Sequence, residues 1–245
     1  MSNYLSKTVD ISSLGQRSLW VIWGKSGTGK TKFISTLPKP MLYVMIGDDG
    51  SNTIANVSGI QAIHVENIDE LKDVGKELKS DKRFKSVAVD TFSMITNVWI
   101  DQNITQKKKK MTQQAWGDLK VETEELIKIF HEVASTHIVA LTCHESNDTI
   151  EGMEDEIIPD FRPNTTKGAR TYLEGMANYG IHTAKMKKTI IKDGVEKDVV
   201  RYVGHLGANS YYWTKLQIDP SIKIPEMVVN PTYDKITKLI RNNEA

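Results

Sequence analysis

Cysteine and long apolar runs are almost absent from this sequence. Cys143 is the only cysteine among the 245 residues. An intrachain disulfide is therefore excluded, and we expect the protein to be located in a reducing compartment. No apolar run reaches the length that a membrane span requires. The first residues, MSNYLSKTVD, contain no signal-peptide core. We therefore expect a cytoplasmic protein that has no membrane partner.

A surplus of charge is missing as well. The chain has 32 basic and 31 acidic side chains, for a formal net charge of +1. A strongly basic balance would have indicated nucleic-acid binding over much of the surface. Any contact with DNA or RNA must therefore come from local patches.

What the sequence does contain is a crowded glycine loop, GKSGTGKT, at residues 24–31. Its spacing is that of the phosphate-binding P-loop, in which glycines let backbone N–H groups surround phosphate oxygens. A strand-like segment, SLWVIW, precedes the loop and a helix-compatible segment, TKFISTL, follows it, as the motif requires. Lys30 is predicted to supply charge to the β- and γ-phosphates. The predicted nucleotide-binding residues are Gly24, Lys25, Ser26, Gly27, Thr28, Gly29, Lys30, Thr31 and Lys32.

A magnesium site is predicted from two positions. The Thr31 hydroxyl would ligate Mg²⁺, and a carboxylate at the end of a neighbouring strand would hold the ion through water. Asp90, which closes the strand SVAVD, is the candidate for that carboxylate. The alternative is that Asp90 caps the helix that begins near Phe92. ATP and Mg²⁺ are the predicted cofactors.

Polar residues that follow two further apolar strands are candidates for hydrolysis. Asp48 and Asp49 follow MLYVMI, and a carboxylate there can polarise a water if this strand lies near the P-loop strand. The alternative is that GDDG forms only a turn. His144 and Glu145 end ALTCHE, where a polar side chain can sense the γ-phosphate, although His144 can equally be a buried structural residue. The predicted catalytic residues are Lys30, Asp49, Asp48 and His144.

Two missing motifs and a small number of arginines argue against some classes of nucleotide-binding protein. The guanine-specific pattern N-K-x-D is missing, which argues against a GTPase, and the transporter-type signature L-S-G-G-Q is missing too. Only six arginines are present, and they are scattered along the chain. Because small-molecule kinases usually neutralise the transferred phosphoryl group with several arginines, a kinase is disfavoured without being excluded.

The order of predicted elements indicates an α/β fold. Strands are predicted at 18–23, 41–46, 60–65, 85–91 and 137–144, and helices at 31–37, 68–80, 92–105, 118–135 and 167–178. This alternation predicts a mostly parallel sheet with helices on both faces. A β-hairpin at about 180–205 and a terminal helix are predicted after it. We expect one domain over 1–245, with a nucleotide-binding core at 18–145 and an extension at 146–245.

Taken in order, these pieces resemble the RecA-like phage ATPases, the AAA-type phage nucleotide-binding family that includes single-strand annealing recombinases of the Sak-four type. The matching pieces, within about residues 18–180, are VIWGKSGTGKTKFISTLPKPMLYV, GDDG, VAVDTFSMI, AWGDLK and VALTCHE. The resemblance implies a RecA-like P-loop fold in which Lys30, Thr31 and Asp90 serve ATP and Mg²⁺. It also implies a homo-oligomer, a ring or a filament, that acts on single-stranded DNA in recombination or replication in the host cytoplasm. A single-strand-binding protein is a candidate partner.

The sequence departs from the family at the acidic turn. The family usually has glutamate there, and Asp49 is one methylene shorter, so hydrolysis is expected to be slow or to use Asp48. No arginine finger follows from the pattern. Lys167, Arg170 and Lys215 are candidates for that role.

Two loops would face DNA in a RecA-like fold. The first corresponds to TQKKKKMTQQ, where Lys107, Lys108, Lys109 and Lys110 would engage phosphates. The alternative is a solvated charge run. The second, expected as a loop at 145–160, carries seven acidic residues and no basic one, so it would repel DNA. If DNA binds, this loop should lie elsewhere or contact a basic partner.

Three functions therefore stay open at the level of the sequence. The favoured one is an ATPase that anneals or loads single-stranded DNA as an oligomer. The second is a nucleotide-gated protein-interaction module without DNA activity, and the third is a small-molecule kinase.

Overall fold

The computed structural model describes residues 17–47, 51–151, 157–192, 195–207, 209 and 211–241. The strands are β1 (Ser18–Trp23), β2 (Met41–Ile46), β3 (Ile60–Val65), β4 (Ser86–Asp90), β5 (Ile138–Cys143), β6 (Glu145–Glu151), β7 (Ile157–Pro163), β8 (Tyr179–Lys192), β9 (Val195–His205), β10 (Lys215–Leu216) and β11 (Met227–Val229). The helices are α1 (Lys30–Ile34), α2 (Ile68–Leu78), α3 (Met94–Ile100), α4 (Gln113–Val133), α5 (Lys167–Met176) and α6 (Tyr233–Arg241).

The central sheet has the strand order β11-β9-β8-β1-β5-β4-β2-β3, with β10 beside β8. All neighbours from β8 to β3 in this order are parallel, whereas β9, β10 and β11 add antiparallel pairs at the other end. The parallel strands place their carboxyl ends at one edge, where Trp23 lies opposite Cys143 in the register of β1 and β5. Asp90 ends β4 at the same edge, so residues that follow β1, β4 and β5 meet there.

Helices cover both faces of the sheet, as the alternation of elements predicts. Alternate residues of β1 point to opposite faces, because side chains of a strand alternate. Leu19, Val21 and Trp23 pack in one buried cluster with residues of α2, α3, α4 and α5. Trp20 and Ile22 pack in the other with residues of α1 and α6. The α/β architecture predicted from the sequence is thus confirmed.

Side-chain caps fix where two helices begin. The Asn67 side chain accepts a hydrogen bond from the Glu70 N–H at the start of α2, and Thr112 accepts one from the Ala115 N–H at the start of α4. Helix α4 consequently begins at Gln113, five residues before the predicted start at 118. Gly117 does not interrupt it, because the tertiary packing of α4 outweighs the helix propensity of one residue.

Two predicted segments differ in the structure. The predicted helix at 92–105 is α3 followed by a π-helical turn, Asp101–Thr105. In the acidic segment predicted as a loop, residues 145–151 and 157–160 belong to β6 and β7, which pair antiparallel. Two of its acidic residues pair with arginines from outside the predicted loop: Arg162 contacts Asp160 at 2.6 Å, and Arg170 of α5 pairs with Asp148. A local count of charges could not reveal these partners.

Across the part of the chain that the structure describes, none of the helices is both long enough and apolar enough to span a membrane.

Candidate functional site

The glycine loop joins the end of β1 to α1 in a conformation that needs glycine. Gly24, Gly27 and Gly29 have φ angles of 149°, 72° and 97°, which L side chains rarely adopt. Gly24 is also confined by β8, since a β-carbon built on it would lie 2.2 Å from the carbonyl oxygen of Thr183. The Gly24 N–H donates to the Cys143 carbonyl at 3.2 Å. The loop is therefore held between β5 and β8.

The backbone of this loop offers hydrogen-bond donors to an anion. Among the described residues, the N–H groups from Lys25 to Lys32 find no acceptor, and the first donor of the helix is Phe33, which bonds the Gly29 carbonyl at 2.8 Å. Unpaired N–H groups in a glycine-rich turn form the concave anion site expected of a P-loop. Because α1 has only five residues, the loop amides and Lys30 account for this site better than a helix dipole does.

Lys30 is the first residue of α1, near the end of the glycine loop, and is buried, with 6% of its surface exposed. Its Nζ donates to the carbonyl oxygens of Gly24 and Lys25, both at 2.9 Å. Burial lowers the pKa of Lys30, and the charge of Asp90 opposes that shift. The ammonium group is thus turned into the loop, where phosphates would lie.

Asp90 is held beside Thr31 by hydroxyl groups. Thr31 Oγ1 donates to Asp90 Oδ2 at 2.8 Å, and the Tyr43 hydroxyl donates to the same oxygen at 2.8 Å. Thr142 and Thr91 donate to Oδ1, the latter at 3.1 Å. With 2% of its surface exposed, Asp90 is fixed in position by these donors. The sequence analysis missed Tyr43 and Thr142, which lie within apolar strand segments that carry no sign of a polar role.

The residues present suit Mg²⁺ bound together with phosphates. Among the described residues, no group of three or more His, Cys, Asp or Glu side chains could hold a metal. Mg²⁺ usually keeps several waters and takes one or two protein oxygens plus substrate phosphates. The Thr31 hydroxyl and the Asp90 carboxylate supply such oxygens 2.8 Å apart. When bound, the ion would neutralise charge on the phosphates.

The end of β5 brings His144 and Glu145 to the same edge. The His144 N–H donates to Ser93 Oγ at 2.8 Å. Burial lowers the pKa of His144, and the charge of Lys30 lowers it further. Glu145 is more buried than expected for a charged residue, with 6% of its side chain exposed, and it accepts a hydrogen bond from His182 Nε2 at 2.8 Å. Its other oxygen lies 3.8 Å from Lys25 Nζ, so Glu145 belongs to the site although it was not among the predicted catalytic residues.

The other predicted catalytic residues, Asp48 and Asp49, lie outside the described residues, so their role stays a prediction. The strand that leads to them, β2, is not next to the P-loop strand, since β5 and β4 lie between. It adjoins β4 instead, with Met45 opposite Asp90. The carboxyl end of β2 is therefore close to the predicted magnesium residue rather than to the loop itself.

Two of the candidate finger residues have partners within the fold. Arg170 pairs with Asp148, and Lys215 Nζ donates to the carbonyl oxygens of Glu174 and Gly175 at 2.9 and 2.8 Å. Lys167 is exposed at the start of α5.

The four predicted DNA-binding lysines follow the π-helical turn and are exposed. Lys107 Nζ donates to Asn103 Oδ1 at 2.9 Å. Lys109 and Lys110 line a cleft of about 490 Å³ together with Trp99 and other residues of this region. The four lysines therefore differ in their surroundings. Lys107 is hydrogen-bonded within its own segment, whereas Lys109 and Lys110 line a cleft.

Comparison with known proteins agrees with this site. No curated protein matches the chain. A family model described as an AAA domain matches residues 18–215, a span that contains the glycine loop, Asp90 and the strands that position them. The chain therefore belongs to the AAA-domain family of P-loop ATPases.

Proposed function

We propose that the protein hydrolyses ATP and acts on single-stranded DNA as an oligomer, annealing it or loading a partner onto it in phage-type recombination or replication. The observation that carries the ATPase part is the hydrogen bond between Thr31 and Asp90 directly beside the buried Lys30. A hydroxyl, a carboxylate and a cation gathered at a glycine loop are the groups that phosphoryl transfer requires.

Catalysis at such a site depends on positioning and charge. The loop amides and Lys30 would bind the phosphates and stabilise the charge that develops on them. Thr31 and Asp90 would hold Mg²⁺, and Asp49 or Asp48 would orient the attacking water. His144 lies close enough to Lys30 for the lysine charge to lower the pKa of the histidine. Glu145 is a further carboxylate at the same edge.

DNA binding is supported by the location of the lysine segment. Gln102 Nε2 donates to the carbonyl oxygen of Glu66 at 2.8 Å, and Glu66 directly follows β3. The lysine segment thus starts on the side of the sheet where the parallel strands end, as the glycine loop does, but beside β3, which β2, β4 and β5 separate from β1. Trp116, 47% exposed at the start of α4, lies shortly after it. Proteins that bind single-stranded DNA without a preference for base sequence typically combine lysines that contact the phosphates with aromatic side chains that stack on the bases.

ATP hydrolysis with and without single-stranded DNA tests the proposal. We expect stimulation by DNA, and we expect the double variant Lys109→Ala/Lys110→Ala to lose it. Each phosphate contact that is lost should reduce the slope of log affinity against log salt by about 0.7 for a single strand. Lys82→Ala/Lys85→Ala is the matched control, because both lysines are exposed just before β4, at the opposite edge of the sheet.

Other outcomes would favour other functions. Hydrolysis that ignores DNA, with no DNA binding at low salt, would remove the DNA part and favour the nucleotide-gated interaction module. ADP formation that requires an added phosphate acceptor would favour a kinase.

A further inference from the structure

The hairpin of β8 and β9 stands directly beside the glycine loop. β8 pairs in parallel with β1, and Trp23, the last residue before the loop, lies opposite His182. The next residue, Thr183, ties the hairpin to the loop, since its Oγ1 donates to the Trp23 carbonyl at 3.1 Å and lies 2.7 Å from Thr28 Oγ1. The base of the hairpin is therefore fixed relative to the phosphate site.

Two side chains of this hairpin extend over the loop. A β-carbon built on Gly27 would lie 3.3 Å from Lys185 Nζ, and one built on Gly29 would lie 3.4 Å from Tyr202 Cδ1. Lys185 and Tyr202 are opposite each other in the hairpin register, and Lys185 Nζ lies 5.8 Å from the centre of the Tyr202 ring. The cation is thus held at the middle of the glycine loop by the strand pairing and by the ring.

Lys185 is available to an anion at this place. Within the described ranges it forms neither an ion pair nor a side-chain hydrogen bond. Two carboxylates at this edge of the sheet have other partners: hydroxyl groups donate to Asp90, and His182 and Lys25 pair with Glu145. The geometry places its ammonium group beside Gly27, at the middle of the phosphate-binding loop.

We propose that Lys185 contacts the phosphates of the nucleotide bound by the same chain and supplies in cis the finger charge that P-loop enzymes take either from the same chain or from another one. This inference rests on the proposed ATP hydrolysis. During hydrolysis the bond from the γ-phosphorus to the bridging oxygen breaks and its electron pair stays with ADP. A bond to the water oxygen forms, and one proton of that water is released to solvent. Lys185 transfers no proton; it offsets the charge on the phosphate oxygens.

Steady-state ATP hydrolysis by Lys185→Ala, with Lys187→Ala as the control, tests the role. Lys187 is an exposed lysine of the same strand, two residues nearer the tip of the hairpin, and therefore on the same face. We expect Lys185→Ala to lower kcat about 100-fold, the scale found when one charge-stabilising donor is removed, with a smaller change in KM. Lys185→Arg should retain part of the activity. Equal kcat values for the Lys185→Ala and Lys187→Ala variants would overturn the proposal.

Mixing two inactive variants distinguishes cis from trans action. Lys30→Ala keeps Lys185 but lacks the loop lysine, whereas Lys185→Ala keeps an intact loop. If Lys185 acts on its own chain, the mixture stays as inactive as its components. Recovery of activity on mixing would show that Lys185 acts on a neighbour and would overturn the cis assignment.

Nucleotide binding separates this inference from the proposed function. A fluorescent ATP analogue should bind Lys185→Ala more weakly than the wild type, while the corresponding ADP analogue should be affected less. If the wild type binds ATP without hydrolysing it, the ATPase proposal fails, and the binding comparison still decides whether Lys185 contacts the phosphates. If the wild type binds neither nucleotide, both proposals fail.

Discussion

Thr31 and Asp90, 59 positions apart in the chain, are joined by a hydrogen bond of 2.8 Å between Oγ1 and Oδ2. Thr31 belongs to the loop after β1 and Asp90 ends β4, and β5 lies between these two strands in the sheet. The bond therefore depends on the strand order rather than on any local feature. It brings together the hydroxyl and the carboxylate on which a magnesium site at the glycine loop depends.

Asp90→Asn should weaken the Mg²⁺ dependence of ATP hydrolysis. The substitution keeps the shape of the side chain but removes the charge and places an amide N–H₂ opposite hydroxyl donors. We expect the Mg²⁺ concentration for half-maximal activity to rise about 10- to 100-fold, as for other groups that orient a metal site. A magnesium titration of hydrolysis measures this, with the exposed Asp73→Asn as the control. An unchanged titration curve for Asp90→Asn would show that Asp90 has only a structural role.

Lys30→Ala should abolish stabilisation by ATP. A ligand at 100 times its Kd stabilises the folded protein by about 2.7 kcal/mol, so ATP with Mg²⁺ should raise the unfolding temperature of the wild type. The variant should show no such rise and no hydrolysis. Without nucleotide its free energy of unfolding should lie within about 1 kcal/mol of the wild type, because the loss of two hydrogen bonds to loop carbonyls is offset by the removal of a buried charge. The exposed Lys76→Ala is the control, and an ATP-dependent shift that survives in Lys30→Ala would contradict the assignment of the loop.

Gly24→Ala and Gly117→Ala should change stability in opposite directions. A β-carbon at Gly24 would lie 2.2 Å from the Thr183 carbonyl oxygen, in backbone with φ 149°, whereas one at Gly117 meets nothing within 4 Å. We expect Gly24→Ala to lower the free energy of unfolding by about 3 kcal/mol or more. Gly117→Ala, inside α4, should raise it by about 0.5 to 1 kcal/mol. Urea unfolding measures both, and equal effects would show that β8 does not confine the loop.

His182 should make the protein less stable as the pH falls. Burial lowers the pKa of His182, and the hydrogen bond that His182 donates to Glu145 opposes the shift without cancelling it. Because the folded pKa is below the unfolded value of about 6.5, the unfolded chain binds the proton more readily. The stability contributed by neutral His182 is complete above pH 6.5 and is lost as the pH falls through the folded pKa.

The unfolding free energy of His182→Gln should therefore decline less than that of the wild type between pH 7 and pH 5. Glutamine can still donate to Glu145 but does not titrate. His64→Gln, at an exposed position, is the control and should follow the wild-type profile. Parallel profiles for wild type and His182→Gln would rule out this contribution.

The sequence was sufficient for features that depend on neighbours along the chain. β1, β2 and β3 begin and end at the predicted residues, because a short, largely apolar run between turn residues indicates a strand. The glycine loop was recognisable because Gly24, Gly27 and Gly29 need backbone angles that other residues avoid. Contacts between residues that are distant in the chain leave no such pattern in the sequence.

The residues that complete the site show how local sequence patterns differ from contacts that depend on tertiary structure. Tyr43 and Thr142 lie in apolar segments, and only the register of β2, β4 and β5 brings their hydroxyls to Asp90. The acidic segment is expected as a loop from the resemblance to RecA-like ATPases, whereas Arg162 and Arg170, which pair with Asp160 and Asp148, lie beyond it in the chain.

By itself, the sequence determined β1 to β5, the hairpin of β8 and β9, most of the helices and the phosphate-binding loop, since each depends on local backbone preference and on the period of apolar residues. Tertiary structure alone decided which side chains meet at that loop. The order of strands in the sheet sets β5 between β1 and β4 and places β8 on the other side of β1. Lys185 consequently lies over Gly27, because hydrogen bonding between strands fixes register over distances that no local pattern encodes.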